Sequence, residues 1–368
     1  MCGLYSIEYK YIIIHNSAMN VHELRTRAIT HSLFKPTTLK KAMEILGFVQ
    51  ADPIRAPARA QDLILRNRVI GYQVNDLEKN YAKLDLEEDF LYAYGFFSPE
   101  IRSLIHPKNK KRLSPLEKRI IEFIKKAGHI HPRDLETEFG KKTERNWWGG
   151  NSKSTKMALD QLHYYGFIRI AGRTSGIRTY ELAPMRNIQL SPDERAQQIA
   201  LLIISILQPV NDVTFRQALN YVRYFMFDRA KYTAKYIQDL LIKNKIIERE
   251  KIDELFYSWI PGSNSLVEVP EEVKFLAPFD PVVWDRARFE HLWGWPYRFE
   301  AYTPPAKRIR GYYSLPLLWK DEIPGWVNIK RSDDNVDFEI GYVNKKPEDK
   351  NFDEELEKEK NRFKKFLL

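Results

Sequence analysis

Ser114-Pro115-Leu116-Glu117 spells a helix start. The Ser caps, the Pro fills the first helical position, where no N–H is needed, and the Glu reaches back to complete a capping box. Leu116, Ile120 and Ile124 then form one apolar stripe. Pro132 to Phe139 reads as a short second helix stopped by Gly140. Ser152 to Tyr165 reads as a third, with Ala158, Leu159, Leu162 and Tyr165 inward. Phe167-Ile168-Arg169-Ile170 and Arg178-Thr179-Tyr180-Glu181-Leu182 are two strands around a turn holding Gly172, Arg173 and Gly176. Three helices and then a hairpin is the winged-helix order, in which helix three is the usual groove reader.

The same Ser-Pro-x-Glu form returns at Ser191-Pro192-Asp193-Glu194, so a second unit of similar build is expected. Asp193 to Leu207, Phe215 to Phe227 and Tyr232 to Asn244 are its three helices, and Ile246 to Ile260 its hairpin. Upstream, Asn20 with Glu23 opens a helix through Leu33. Thr37 or Thr38 opens one through Leu46, closed by Gly47. Ala58 to Val69, with Pro57 at its start, is a third helix carrying Arg59, Arg66 and Arg68. An aromatic core segment follows, through Tyr81, Phe90, Tyr92, Tyr94, Phe96 and Phe97, and a basic linker runs from Lys108 to Arg112. This first unit reads as a degenerate copy of the same plan. After Pro270 the composition turns to Trp, Tyr, Phe and Pro in short alternating runs, the mark of an antiparallel β-domain. A last helix, Asp353 to Phe366, has Phe352, Leu356, Phe363 and Leu367 on one face. The expected class is therefore α+β: tandem winged-helix domains at 1–112, 113–188 and 189–270, then a C-terminal antiparallel β-barrel-like domain at 271–368.

A net charge of +10 and a pI of about 9.3 favour a polyanionic partner, nucleic acid above all. From Pro115 to Leu182 there are 13 basic and 8 acidic residues, with the surplus on helix three and the wing. The single cysteine, Cys2, excludes a disulfide framework and a cysteine zinc site, and fits a reducing cytoplasm. The histidines lack metal-ligand spacing; His129 and His131 read as solvated turn residues. No Gly-rich phosphate loop occurs, so neither a metal nor a cofactor is expected. The block Tyr11-Ile12-Ile13-Ile14 is too short for a signal-peptide core, and Met19 is a candidate initiator beside Met1.

Between two helical patterns lies Phe48-Val49-Gln50-Ala51-Asp52-Pro53. In an extended chain residues i and i+2 face the same side, so Gln50 and Asp52 can address one point. An amide can orient a water and a carboxylate can take its proton. The spacing alone also suits two turn polars ahead of the next helix.

Four stretches together resemble the AlkZ/YcaQ family of bacterial winged-helix DNA glycosylases, the YcaQ (AlkX-like) branch in particular. They are Gln50-Ala51-Asp52 with Ala58-Arg59-Ala60-Gln61-Asp62; Trp147-Trp148-Gly149 leading into Ser154-Thr155-Lys156; Gly172-Arg173 with Arg178-Thr179-Tyr180; and Leu276-Ala277-Pro278-Phe279-Asp280-Pro281-Val282-Val283-Trp284-Asp285-Arg286 with Tyr297 to Tyr302, Pro305 to Arg308 and Gly311-Tyr312-Tyr313. The resemblance implies a basic channel for double-stranded DNA, a monomeric enzyme acting at the bacterial nucleoid, and excision of N-alkylated purines, with crosslinks among the substrates. It implies a Gln-x-Asp signature at Gln50 and Asp52. Two positions depart from the family: Gln61 and Gly95 stand where His is expected. DNA contacts are expected at Arg59, Lys153, Lys156, Arg173, Arg178 and Arg286, and at Lys307, Arg308 and Arg310, which read as a groove probe or as a basic surface strand. Trp147 and Trp148 fit stacking on DNA or packing between helices. The rival reading is a winged-helix transcriptional regulator without chemistry, indifferent to Asp52.

Overall fold

A computed structural model of the chain describes residues 19–81, 83–106, 112–145, 151–184, 189–223, 231–262, 268–332 and 335–368. The segment around Tyr11, Trp147 and Trp148, most of the linker from Lys108, and the end of the helix expected to reach Phe227 lie outside the described residues. Two compact units form. One comprises residues 19–76, 90–95 and 192–368, the other 77–89 and 96–191.

In the second unit the helix Pro115–Ala127 begins as its sequence dictates. The Glu117 amide donates to Ser114 Oγ at 3.2 Å, and Glu117 Oε2 accepts from the Ser114 amide at 2.8 Å. Ile120 and Ile124 are buried. The helix Pro132–Phe139 is capped by His131, whose Nδ1 accepts from the Arg133 amide, so this histidine has a structural task. The helix Ser154–Tyr164 buries Ala158, Leu159 and Leu162. Tyr165 does not join them as the stripe implies; it sits past the helix end, 39% exposed, where Gly166 ends the run. The strands Ile168–Thr174 and Ile177–Leu182 pair antiparallel, and His129–Ile130 pairs on the other side of the second. Their turn is shorter than expected. Ser175 and Gly176 both take positive φ, and Gly172 and Arg173 lie within the strand, at a bulge after Ile170.

In the first unit Asn20 and Glu23 form a reciprocal capping box at the helix Val21–Ser32. The helix Leu39–Leu46 starts at Thr38 and stops at Gly47, φ +67°. The next helix spans only Ala60–Leu65, not Ala58 to Val69. Beyond it the backbone pairs with an extended neighbour instead. The Thr37 amide donates to the Arg68 carbonyl at 2.9 Å, and the Ile70 amide to the Thr37 carbonyl at 3.0 Å. That places Arg68 inside, where it bonds the Ser32 and Ile64 carbonyls and takes Asp280 bidentately at 2.8 and 2.9 Å. Helices Pro192–Leu207, Asp212–Arg223 and Ala234–Lys243 precede a hairpin of Glu248–Ile252 and Leu255–Trp259, to which Val210–Asn211 adds a third strand.

Within this unit, buried residues from before 76, from 192–270 and from after 270 share cores. Ile29 and Leu33 of the first helix pack with Leu276, Val283, Phe289 and Trp295. Leu24 and Ala28 pack with Ile252, Tyr257 and Leu292. The C-terminal part holds a four-stranded antiparallel sheet, Val273–Phe275, Leu315–Trp319, Glu322–Arg331 and Val336–Tyr342 in that order. The expected barrel does not close among the described residues: the two outer strands remain edges of an open sheet. A helix covers it instead. Phe352–Leu367 lays Phe352 against Trp319 and Tyr342, and Phe363 against Phe275 and Phe338. On that face Glu359 is buried as well, paired with Arg66 and accepting from the Phe275 amide at 2.9 Å.

Candidate active site

The strand Phe48–Gln50 follows the turn at Gly47, with Phe48 and Val49 buried. The Ala51 amide donates to the Tyr94 carbonyl at 2.9 Å, which keeps the backbone extended between Gln50 and Asp52. Gly95 is explained by this approach. A Cβ there would sit 2.4 Å from the Val49 carbonyl oxygen and 2.6 Å from the Phe48 ring. No His fits where the family resemblance led one to be expected. The other departure has a role in the backbone. Gln61 is buried, and its Oε1 accepts from the Asp52 amide at 3.4 Å.

Asp52 closes its own turn. Its Oδ1 accepts from the Ile54 amide at 2.8 Å, while its second oxygen has no hydrogen-bond partner among the described residues. Burial raises its pKa above the ordinary Asp value, and the Ile54 bond opposes the rise. Gln50 is oriented from far along the chain. Trp284 Nε1 donates to Gln50 Oε1 at 2.8 Å. An indole N–H only donates, so the amide presents its oxygen to Trp284, and its NH2 has no hydrogen-bond partner among the described residues. The Trp284 ring is itself set edge-on to Tyr92, centroids 4.8 Å apart, and Tyr92 packs at 4.8 Å on Phe48.

A group of tyrosines borders the carboxylate. The hydroxyls of Tyr302 and Tyr313 are both pushed above their ordinary value, first by desolvation and then by the Asp52 charge. Tyr313 is buried and Tyr302 is exposed. Phe299 meets both rings edge-on, at 6.0 Å from Tyr302 and 5.0 Å from Tyr313. The loop between them is tied at its base. Glu300 accepts from the amides of Ile309, Arg310 and Gly311 at 2.9 to 3.2 Å.

The basic residues divide by setting. Lys307 lies exposed in the turn Pro305–Lys307, beside the exposed Ile309. Arg308 donates to the Thr303 carbonyl at 2.8 Å and covers the Tyr312 ring. Arg310 lies between the Trp295 and Trp326 rings, at 5.0 and 5.3 Å. Arg286 is turned inward, bonding the Val283 and Pro278 carbonyls at 2.7 Å each and covering Tyr297. Arg59 stands half-buried at the start of Ala60–Leu65. In the second unit Lys156 is exposed and Lys153 pairs with Glu136 at 2.5 Å. Arg173 and Arg178 converge on the buried Glu88, at 2.5 and 3.1 Å. Their charges are thus engaged within the fold, as that of Arg286 is satisfied by carbonyls. Among the described residues no group of three or more His, Cys, Asp or Glu is placed to hold a metal ion.

Residues 43–366 match the family described as DNA glycosylase AlkZ-like. The chain belongs to this family of DNA glycosylases, enzymes of DNA repair. Among solved structures it is similar to the Streptomyces sahachiroi DNA glycosylase AlkZ, at 12% identity and a TM-score of 0.60, over 95% of this chain and 97% of that one. At that identity the likeness is one of fold.

Proposed function

We propose that this glycosylase hydrolyses the N-glycosidic bond of purines alkylated at N7 or N3 in double-stranded DNA, with Gln50 positioning the water and Asp52 activating it. Such a purine carries a positive charge and is already a good leaving group, so no general acid is needed. Water attacks the sugar C1′ and gives its proton to Asp52. The C1′–N bond breaks, its electrons pass to the base, and the base leaves neutral. The carboxylate also stabilises cationic character at the sugar. Because water is the nucleophile, the reading is monofunctional: the strand stays intact at the abasic site.

The observation that carries the reading is the Trp284 bond, which leaves the Gln50 NH2 unpartnered among the described residues, two positions from an Asp52 carboxylate with one oxygen unengaged. The water accepts from Gln50 through one lone pair, attacks through the other, and donates to Asp52. The two helix–hairpin runs, 115–182 and 192–259, support winged-helix units as the DNA-binding frame. Lys307, Arg308 and the exposed Lys156 are the cations we assign to phosphate. A crosslinked base is tied to the opposite strand and cannot swing fully out of the duplex. Unhooking therefore calls for an open channel, and the exposed turn at Lys307 is our candidate for probing the groove. The test is excision of 7-methylguanine from duplex DNA, read as strand cleavage after hot alkali. Asp52→Asn is expected to lose roughly 100-fold or more in rate while still binding DNA. Excision at the wild-type rate refutes the assignment.

A further inference from the structure

Arg310 is fixed by its backbone and its rings, yet its charge has no bonded partner. Its amide donates to Glu300 at 2.9 Å, and its carbonyl accepts from Ser314 Oγ at 2.8 Å and from Asn328 Nδ2 at 2.6 Å. The guanidinium carbon lies 5.0 Å from the centre of the Trp295 ring and 5.3 Å from that of Trp326. Trp295 is buried, and Trp326 rests on Gly341, where a Cβ would meet its ring at 2.3 Å. Indole faces attract a cation, but an indole offers no hydrogen-bond acceptor. Glu300, a carboxylate that feels the Arg310 charge, directs its oxygens to the amides of Ile309, Arg310 and Gly311. Among the described residues the Arg310 guanidinium makes no hydrogen bond or ion pair. Only its Nε is sealed from solvent, so the two terminal nitrogens stay accessible on a partly exposed side chain. Arg66, Arg68 and Arg288 of the same unit, by contrast, meet carboxylates or carbonyls.

We propose that Arg310 is a preset anchor for one backbone phosphate of DNA, its two terminal nitrogens donating in parallel to two phosphate oxygens. The planar fork of a guanidinium matches that pair of oxygens, and a lysine ammonium does not. Arg310 is already ordered by its backbone bonds and by the two indoles, so it gives up little freedom on binding. It therefore sets the register of the duplex on the protein, where the exposed Lys307 adds charge alone. This rests on DNA as the substrate of the family and not on the role given to Asp52.

The test is fluorescence anisotropy of the full chain with a short, undamaged duplex. Arg310→Lys keeps the charge and a stem over the indoles but loses the fork. It is expected to bind about tenfold more weakly with the salt slope unchanged, while Arg310→Gln also lowers that slope by about 0.9. A second measurement replaces the phosphates one at a time by neutral methylphosphonates. At one position the wild type is expected to lose about tenfold in affinity and Arg310→Lys less than about threefold. A variant weakened only by a disturbed fold would keep the wild-type profile at lower affinity. Arg310→Lys binding as tightly as the wild type, or a methylphosphonate profile of the same shape in both proteins, overturns the proposal. No step of excision enters these measurements, so full excision by Asp52→Asn would sink the catalytic reading and leave this one standing.

Discussion

Replacing Trp284 with Phe removes one hydrogen bond and keeps an aromatic ring against Tyr92. The donor that fixes the Gln50 amide is then gone. That bond is neutral and half-buried, so its removal is worth about 1 kcal/mol, roughly a fivefold fall in rate if all of it is felt at the transition state. The Gln50 amide, no longer pinned, would also spend about half its time with its oxygen toward the site, a further twofold. The expected loss is therefore about tenfold in single-turnover excision of 7-methylguanine, with DNA affinity unchanged. The decisive form is a double-mutant cycle with Gln50→Ala. If Trp284 acts through Gln50, Trp284→Phe has no further effect once Gln50 is gone, and the two losses do not add. Fully additive losses refute the orientation argument, even if each single variant is slow.

Three other outcomes can be checked separately. Gly95→Ala drives a methyl group into the Val49 carbonyl and the Phe48 ring, and should cost about 1–3 kcal/mol in chemical unfolding together with reduced excision, because the same strand carries Gln50. His31 has its pKa lowered to about 4, by burial above all, against the Ser205 carbonyl bond; a folded pKa below the unfolded one gives stability that is complete above about 6.5 and lost as pH falls toward 4. The wild type should lose about 3 kcal/mol more than His31→Gln across that window in urea titrations. Reversing Lys307 and Arg308 to Glu should weaken DNA binding and reduce the slope of log affinity against log salt by about 0.9 for each phosphate no longer neutralised, read by fluorescence anisotropy; an unchanged slope removes these residues from the interface.

What the sequence disclosed was set by range. Capping boxes at Asn20 and Ser114, the stop at Gly47 and the apolar face of Phe352–Leu367 depend on residues a few positions apart, and each was legible. The extended spacing of Gln50 and Asp52 was legible for the same reason. What completes the site was not. Trp284 reaches Gln50 across 234 positions, and an indole in an aromatic-rich run gives no sign of which acceptor it will meet. The inward roles of Arg66, Arg68 and Arg286, the last expected on DNA, were hidden because their partners Glu359 and Asp280, and the carbonyl of Pro278, are brought to them only by folding. Arg173 and Arg178 read as wing cations because Glu88 lies some 90 positions upstream of Arg178. Gly95 looked like a missing His; the nearness of Val49 shows that no side chain can stand there.

The dependence of the early residues on late ones bears on synthesis. Gln50 is not oriented until Trp284 has emerged, Arg68 stays an uncompensated charge until Asp280 arrives, and Arg66 waits for Glu359. A chain still on the ribosome can hold the Gln-x-Asp segment for most of its translation without an assembled centre. Chains stopped before Trp284 should therefore lack the oriented Gln50 amide on which the proposed chemistry depends.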